Sequence, residues 1–587
     1  MKYWLLIIYI LSLTFQLFGQ QIFEREKRDN NWLLGGSPVI DGAPFDVVKI
    51  NFSNEEPLFE EMNIGINFHL SNSSISSSDE GLLLYTNGAE IRNSNNDTLA
   101  INLASTQLLQ SWTNIGYPLS QGVLFLSLPN SDSIYYLFHT DAEVQETGDV
   151  FTENLYITVI DVEAEQEPII HRDVSIINDT LTMGRVVADR HANGRDWWIV
   201  VPEANKNSYY SILFSPNGIE EINNFAIGDS INMGVSQSRF SPNGQNYARI
   251  DIIEIGEDSP HKISLYDFDR CTGEFTSFST FSFPEVGSIS GGMVFSENSR
   301  FLYAMAWLGV YQFDLWAEDV SASKIKVLEF DTLPPGGASG TFGLSQLAPN
   351  GKIYVSATGA NEYLSVIHKP NLKGVACQAE VRAIELAVNN FESIPNHPYY
   401  GLGPLDGSSC DTLNIDNPAP QVAFDYVIAD SMAFTVDFYD GSIFSPDQWY
   451  WEFGDGATST EHFPSHTYMD YGSYQVCLTA SNATGSNTVC QEVLFNINST
   501  KEEGQKAVYK VWPNPSSNNI NISSDRSFSD ASEVRLYTVQ GRRVMTHSLS
   551  GGLKSHRFNI GHLNSGIYWL EVNDRYGNLW REKVFVQ

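Results

Sequence analysis

One unit recurs along the first two thirds of this chain: a turn cluster followed at once by an apolar strand. Ser78-Asp79-Glu80-Gly81 precedes Leu82-Leu83-Leu84-Tyr85, and Asn130-Ser131-Asp132-Ser133 precedes Ile134-Tyr135-Tyr136-Leu137. Asn193-Gly194-Arg195-Asp196 leads into Trp197-Trp198-Ile199-Val200, and Pro242-Asn243-Gly244-Gln245 into Asn246-Tyr247-Ala248. Glu297-Asn298-Ser299-Arg300 leads into Phe301-Leu302-Tyr303, and Pro349-Asn350-Gly351-Lys352 into Ile353-Tyr354-Val355. Steps of roughly 50–60 residues match one blade of a β-propeller, a unit that cannot bury its faces alone and must stack. Asn-Gly turns supply the positive φ of a tight reversal. Aromatic residues make up 12% of the chain and Gly numbers 44, which favours strands and turns over helices. The expected fold class is therefore all-β, with residues 30–406 forming about seven blades and six still open.

This region resembles the WD-repeat-like propellers of secreted Bacteroidetes proteins. The resemblance rests on Asn31-Trp32, Leu83 to Gly88, Ser120-Gln121-Gly122, Phe240 to Gly244 and Tyr400 to Gly407. An Asp/Asn/Pro-rich linker is expected over 407–420, followed by a compact β-unit over 421–497. In that unit Trp449, Trp451 and Phe453 alternate, so one strand face is aromatic. Gly454-Asp455-Gly456 makes a turn, and His466, Tyr468, Gly472 and Tyr474 follow. Together these residues resemble a PKD domain, an immunoglobulin-like β-sandwich. Trp449 and Trp451 could stack on sugars, but the motif strand normally buries at least one, and His466 reads as a turn or core residue.

A polar linker over 498–507 precedes a tail over 508–587. The tail carries Val511-Trp512-Pro513-Asn514-Pro515, then Tyr537-Thr538-Val539-Gln540-Gly541-Arg542, then Gly566-Ile567-Tyr568-Trp569. Alternating strands with turn punctuation fill it. It resembles the type A C-terminal sorting domain of the type IX secretion system. That resemblance implies a β-sandwich address label and makes the secretion machinery a partner. Arg535, Arg542, Arg543, Lys554, Arg557, Arg575, Arg581 and Lys583 make the tail locally basic.

The chain as a whole is strongly acidic, with a formal net charge of −36 and a pI near 4.5. Such a charge repels phosphate backbones and excludes nucleic acid as a partner. It reads as extracellular solubility, with a calcium-rich surface as the alternative. Residues 1–19 read as a signal peptide: Lys2, an apolar run from Trp4 to Phe18, and Gly19 before the cleavage point. No later segment is apolar enough for a membrane helix. The expected location is secreted or on the outer cell surface.

Five cysteines in an oxidising compartment leave one unpaired. Cys477 and Cys490 flank a short turn on successive strands and are expected to pair. Cys377 is expected to pair with Cys410, leaving Cys271.

No HExxH, GxSxG or P-loop pattern is present, and no catalytic or cofactor residues are assigned. Asp267 and Asp269 lack the further carboxylates a calcium loop needs and read as turn residues. Asp, then Ser or Thr, then an aliphatic or Met residue recurs at seven hydroxyls: Thr98, Ser133, Thr180, Ser230, Thr332, Thr412 and Ser431. This is similar to the O-glycosylation site of exported Bacteroidetes proteins; polar turns before strands would give the same pattern. Three functional readings stand: a surface binding or adhesion protein for a glycan or protein, a propeller hydrolase or lyase acting on polysaccharide, and a structural spacer. Paired carboxylates around the channel would mark the second.

Overall fold

The apolar runs that follow the six turn clusters are the second strands of six of seven successive sheets, a computed structural model of the chain shows. It describes residues 21–36, 46–54, 56–144, 150–231, 235–252, 259–285, 290–330, 341–430, 434–495, 509–513, 516, 518–524, 533–538, 542–549, 554–573 and 579–586. The signal-peptide reading of 1–19 lies outside them.

The sheets span 31–62, 73–101, 123–181, 187–226, 238–285, 290–329 and 342–391, and are numbered here as blades 1 to 7. Blade 1 has three strands, and each of the others is built on four antiparallel strands in meander order. Second strands such as Trp197–Pro202 and Phe301–Ala306 are buried along their whole length. A blade packs against a neighbour on each side, so both faces of its middle strands must be apolar. Each adjoining pair of blades encloses one apolar cluster. Leu126, Phe138 and Leu155 of blade 3 meet Trp197, Ile199 and Val201 of blade 4. Leu344, Leu364 and Val366 of blade 7 meet Trp32, Leu34, Val48 and Ile50 of blade 1, and this last cluster closes the ring.

The turn clusters owe their recurrence to one hydrogen-bond pattern. The Asn243 side-chain oxygen accepts the Gln245 N–H (3.0 Å), Asn298 accepts that of Arg300 (3.2 Å) and Asn193 that of Arg195 (3.0 Å). Such Asx turns leave the next residue at positive φ: +77° at Gly194, +68° at Gly244 and +61° at Ser299. At Gly244 a Cβ would also lie 2.6 Å from the Arg270 and Leu402 side chains, so glycine is required there twice over.

Two compact units partition the chain: one holds the propeller and nearly all of the following sandwich, the other the C-terminal domain. In the first unit the sandwich pairs a three-stranded sheet (Phe424–Asp430, Thr435–Asp440, Ser465–Thr467) with a four-stranded one that includes Gln448–Glu452 and Gly472–Asn482. It docks on blades 6 and 7. Arg300 forks onto Asp314 (2.9 and 2.8 Å) with its guanidinium 4.9 Å from the Trp316 ring and 5.2 Å from that of Tyr439. Trp316 stacks 4.5 Å from Phe463, and Lys369 pairs with Asp425 at 3.0 Å. Among the described residues, no helix is long and apolar enough to cross a membrane.

The expected Cys377–Cys410 pairing is corrected. Cys410 lies where the linker crosses the Asp269–Gly273 turn of blade 5, and it bonds Cys271, with Cα atoms 5.6 Å apart. Cys377 ends a short 3-10 turn (Gly374–Cys377) and is buried in the cluster between blades 6 and 7, unbonded. Burial pushes its thiol up to about 11, so it is a poor nucleophile. Cys477 and Cys490 are bridged, with Cα atoms 4.1 Å apart.

The Cys271–Cys410 bond spans 139 residues and restrains the unfolded chain accordingly. Replacing both by serine is expected to lower the unfolding free energy by about 4–5 kcal/mol, read as a drop in the urea midpoint. An unchanged midpoint would refute it.

Candidate functional site

A propeller usually offers its central channel to ligand. The chain leaving blade 7 turns back along the inner side of blade 1 as segment 393–399. There the Asn396 N–H donates to Asn72 O (2.8 Å), and His397 stacks 6.3 Å from Trp32. The Asn396 amide reaches across the axis. Its nitrogen donates to Val123 O of blade 3 (3.0 Å) and Val186 O beside blade 4 (2.8 Å). Its oxygen accepts from Gln121 Nε2 (3.2 Å) and Arg239 Nη1 (3.1 Å). Gln237 serves the far side, accepting the Met293 and Ser345 N–H groups at 3.0 and 2.9 Å. Inner-strand amides that would otherwise need channel water are thus met by side chains.

About 40 Å³ of space is left, walled in part by Arg25, Asp29, Arg239, His397 and Tyr399, room for one or two waters. Among the described residues the groups meeting at Asn396 are amides and a guanidinium; at the turn-side mouth two carboxylates flank Arg25: Asp29, paired with it at 3.0 Å, and Glu297, which accepts from the Tyr399 hydroxyl at 3.4 Å. Burial, and then the Arg239 charge, push His397 down to about 3. Asp189 on the inner strand of blade 4 is pushed up to about 7 by burial, against the pull of Arg270.

One face of the ring is partly covered, and it keeps a polar cleft of about 680 Å³ lined by Glu26, Arg28, Asp132, Arg190, Arg195 and Trp197. Gln21–Ile22 pairs in parallel with Ile415–Asp416, and Pro404 packs on Gly194. These segments, the Cys271–Cys410 bond and the docked sandwich all lie on the face carrying the recurrent turns. The opposite face, made by the second-to-third-strand turns and the crossovers between blades, holds a polar cleft of about 460 Å³. Asn67, Glu90, Arg92, Asn102, Thr113 and Asn114 line it.

In the sandwich, Trp451 is fully buried between Phe424 (5.1 Å) and Phe438 (5.5 Å), its indole N–H donating to Glu461 O. It cannot meet a sugar. Trp449 is half-buried, covered by His462 at 3.8 Å and tied to Asp440. A Cβ on Gly454 would strike Gln475 O at 2.7 Å, and Gly456 follows at φ +95°. Asp455 accepts the Ala457 N–H and meets His466 Nε2 at 2.8 Å; His466 stacks on Phe453 at 4.1 Å. Tyr468 donates to Phe453 O and stacks on Tyr474 at 4.1 Å, and Gly472 opens the strand Gly472–Asn482. These motif residues hold one another in place.

The C-terminal domain packs a sheet of Tyr509–Trp512, Asn519–Ser524 and Ser555–Asn559 against one ordered Arg543–Ser548, Glu533–Thr538, Gly566–Asn573, Leu579–Val586. Ile520, Ile522, Leu536, Leu570 and Val584 form its core. Residues 416–497 match the PKD domain family, and residues 510–587 match the secretion system C-terminal sorting domain family. Residues 510–587 are a sorting domain. The type IX secretion machinery is therefore a partner of this chain, which is an exported protein, secreted or held at the cell surface.

No curated protein matches the chain. Among solved structures, the PKD1 domain of a Vibrio cholerae metalloprotease is 30% identical over 13% of this chain and 98% of its own length, with a TM-score of 0.13. A putative 6-phosphogluconolactonase from Bacteroides uniformis is 13% identical over 61% and 97% (TM-score 0.33). A functionally unknown Desulfotomaculum acetoxidans protein is 13% identical over 63% and 99% (TM-score 0.34).

Of the sorting-motif residues, Pro513 and Arg542 are exposed, Gly566 opens a core strand, and buried Tyr568 donates to Asn564 O at 2.8 Å. Asn514, Pro515 and Gly541 lie outside the described residues. Thr98, Ser230 and Thr412 are exposed, Ser133 and Thr180 half-buried, and Thr332 and Ser431 outside the described residues. Asp267 and Asp269 serve turns, Asp269 accepting the Cys271 N–H at 2.8 Å and Asp267 meeting Asn246 and Ser277. Three other carboxylates, Asp406, Asp411 and Asp416, do come within 4.8 Å of one another in the linker. Ser120-Gln121-Gly122 stood out in the sequence only as part of the propeller resemblance, and Asn396, Gln237 and Arg239 did not stand out at all. The recurrence of Ser-Gln at 120–121, 236–237 and 345–346, where inner strands begin, was the available signal.

His397 generates a pH prediction. Folded, it stays neutral down to about pH 3; unfolded, it takes a proton below about pH 6.5. Its burial therefore costs stability progressively as pH falls from 6.5 towards 3. His397→Gln is expected to remove about one proton from the uptake on unfolding between pH 4 and 6, flattening stability against pH by about 1.4 kcal/mol per unit. An unaltered slope would refute this.

Proposed function

We propose that the exported chain is a binding protein whose propeller engages an extracellular glycan or protein on its open face, with the PKD domain as a rigidly docked companion. The filled channel carries this reading. A propeller glycosidase needs a cleft that admits a sugar ring between two acids, and here Asn396 occupies the axis. Binding, by contrast, needs only an exposed surface with polar groups, which the cleft of Asn67, Asn102 and Asn114 offers.

The test applies purified full-length protein to a glycan array and, in parallel, to a reducing-end assay on the same polysaccharides. Binding without new reducing ends is expected. New reducing ends would overturn the reading in favour of the enzyme, and neither binding nor turnover would leave the spacer.

The seven Asp-Ser/Thr patterns support a second property, O-glycosylation. Exposed Thr98, Ser230 and Thr412 are the accessible acceptors. Mass spectrometry of protein from its native host is expected to find glycan at these three; all three bare would sink the idea.

A further inference from the structure

Trp569 stands on the outward face of the four-stranded sheet of the sorting domain. One face of that sheet is spent on the domain's own core: Val534, Leu536, Leu570, Val572 and Val584 are fully buried. Strands alternate their side chains, so the residues between these point away from it. Beside an Arg535–Glu571 ion pair, several of those residues are apolar as well. Ile567, Trp569 and Phe585 are 39%, 41% and 41% exposed. Strand register sets them side by side. Ile567 lies opposite Phe585, and a neighbouring row runs Arg543, Tyr537, Trp569, Lys583 across all four strands. Two aromatic rings are thus flanked by two cations. Lys583 and Arg543 are both exposed, and the Lys583 ammonium lies 6.0 Å from the Phe585 ring. The sheet edge offers less: Ser516 already donates to Phe585 O at 2.9 Å and bridges Val586.

We infer that this outward face is the surface by which the secretion machinery reads the tail, and that the partner presents an acidic-rimmed groove with an apolar floor. The inference rests on the reading of 510–587 as a sorting domain. Charge favours such a partner. Residues 508–587 carry ten Lys and Arg against six Asp and Glu, on a chain whose net charge is −36. A positive row on a negative protein is steered towards acidic surfaces. The exposed rings supply what steering does not, since buried aromatics carry most of the energy of an interface. A two-faced apolar strand such as Gly566–Asn573 has no structural need of its outer rings, which are available for a partner instead.

The experiment expresses the full chain in a bacterium with type IX secretion and measures the exported fraction. Four variants are compared with the parent: Trp569→Ser with Phe585→Ser, Arg543→Glu with Lys583→Glu, Lys554→Glu with Arg557→Glu, and deletion of 508–587. The third places the same charge change on the other sheet, where both residues are exposed. Thermal unfolding of each purified full-length variant checks that the fold survives; if the aromatic pair unfolds, the charge pairs decide alone. Export is expected to fall about tenfold or more for the first two, to stay near the parent for the third and to vanish on deletion. Equal losses for both charge pairs would mean that net charge, not this face, is read. Normal export of the first two variants alongside a blocked deletion would overturn the face and leave the sorting reading intact. Normal export of the deletion would overturn the sorting reading itself.

Discussion

The propeller depends on a seam between its last and first blades. Blade 1 begins at residue 31 and blade 7 ends at 391, so the chain itself does not hold them together. Closing a loop of that length costs about 5 kcal/mol in chain entropy. Burying a large apolar side chain returns about 1.5–3 kcal/mol. Trp32, Leu34, Val48 and Ile50 against Leu344, Leu364 and Val366 therefore exceed the cost of closure several times over. Once the seam is shut, segment 393–399 has a place to lie, and Asn396 can bind blades 3, 4 and 5 at once. The filled axis is a result of closure, and it cannot form first.

That filling ties the inner strands of the ring to one another. Water and substrate reach a propeller's reactive groups along the axis, and here amides, hydroxyls and Arg239 already satisfy one another there. On the turn-cluster face the PKD domain is held by Arg300, Trp316 and Lys369, whereas the crossovers and turns of the opposite face are loops free to vary without disturbing the blades. The PKD motif contributes rigidity: Trp451, His466 and Tyr468 are spent on one another.

Much of this was legible in the sequence, for identifiable reasons. The Asn-Gly clusters recur because an Asx turn must reverse the chain before every second strand, and the strand that follows must be apolar on both faces. Both demands are local, so they leave a local trace at Asn193, Asn243, Asn298 and Asn350. The PKD and sorting segments were readable for a similar reason, since Trp451 to Gly456 and the Gly566 strand are set by near neighbours. The disulfide was not. Cys271 and Cys410 meet only because the linker crosses blade 5, a fact of tertiary path that spacing does not encode. Asn396 was hidden likewise: a single amide in an irregular segment has no periodicity, and its side-chain partners lie 157 to 275 residues away.

The parallel pairing of Gln21–Ile22 with Ile415–Asp416 has a bearing on manufacture. The ring takes its first strand from one end of a stretch of nearly four hundred residues and its keystone from the other, so it stays open for most of the time the ribosome needs to make it. The address label is encoded downstream of the keystone. A polypeptide cut short before the ring could close thus carries no label, whereas one that carries the label already contains every residue the ring requires. Placing the address after the last structural piece makes it a receipt for completeness, and unfinished copies are excluded from dispatch by chain order alone.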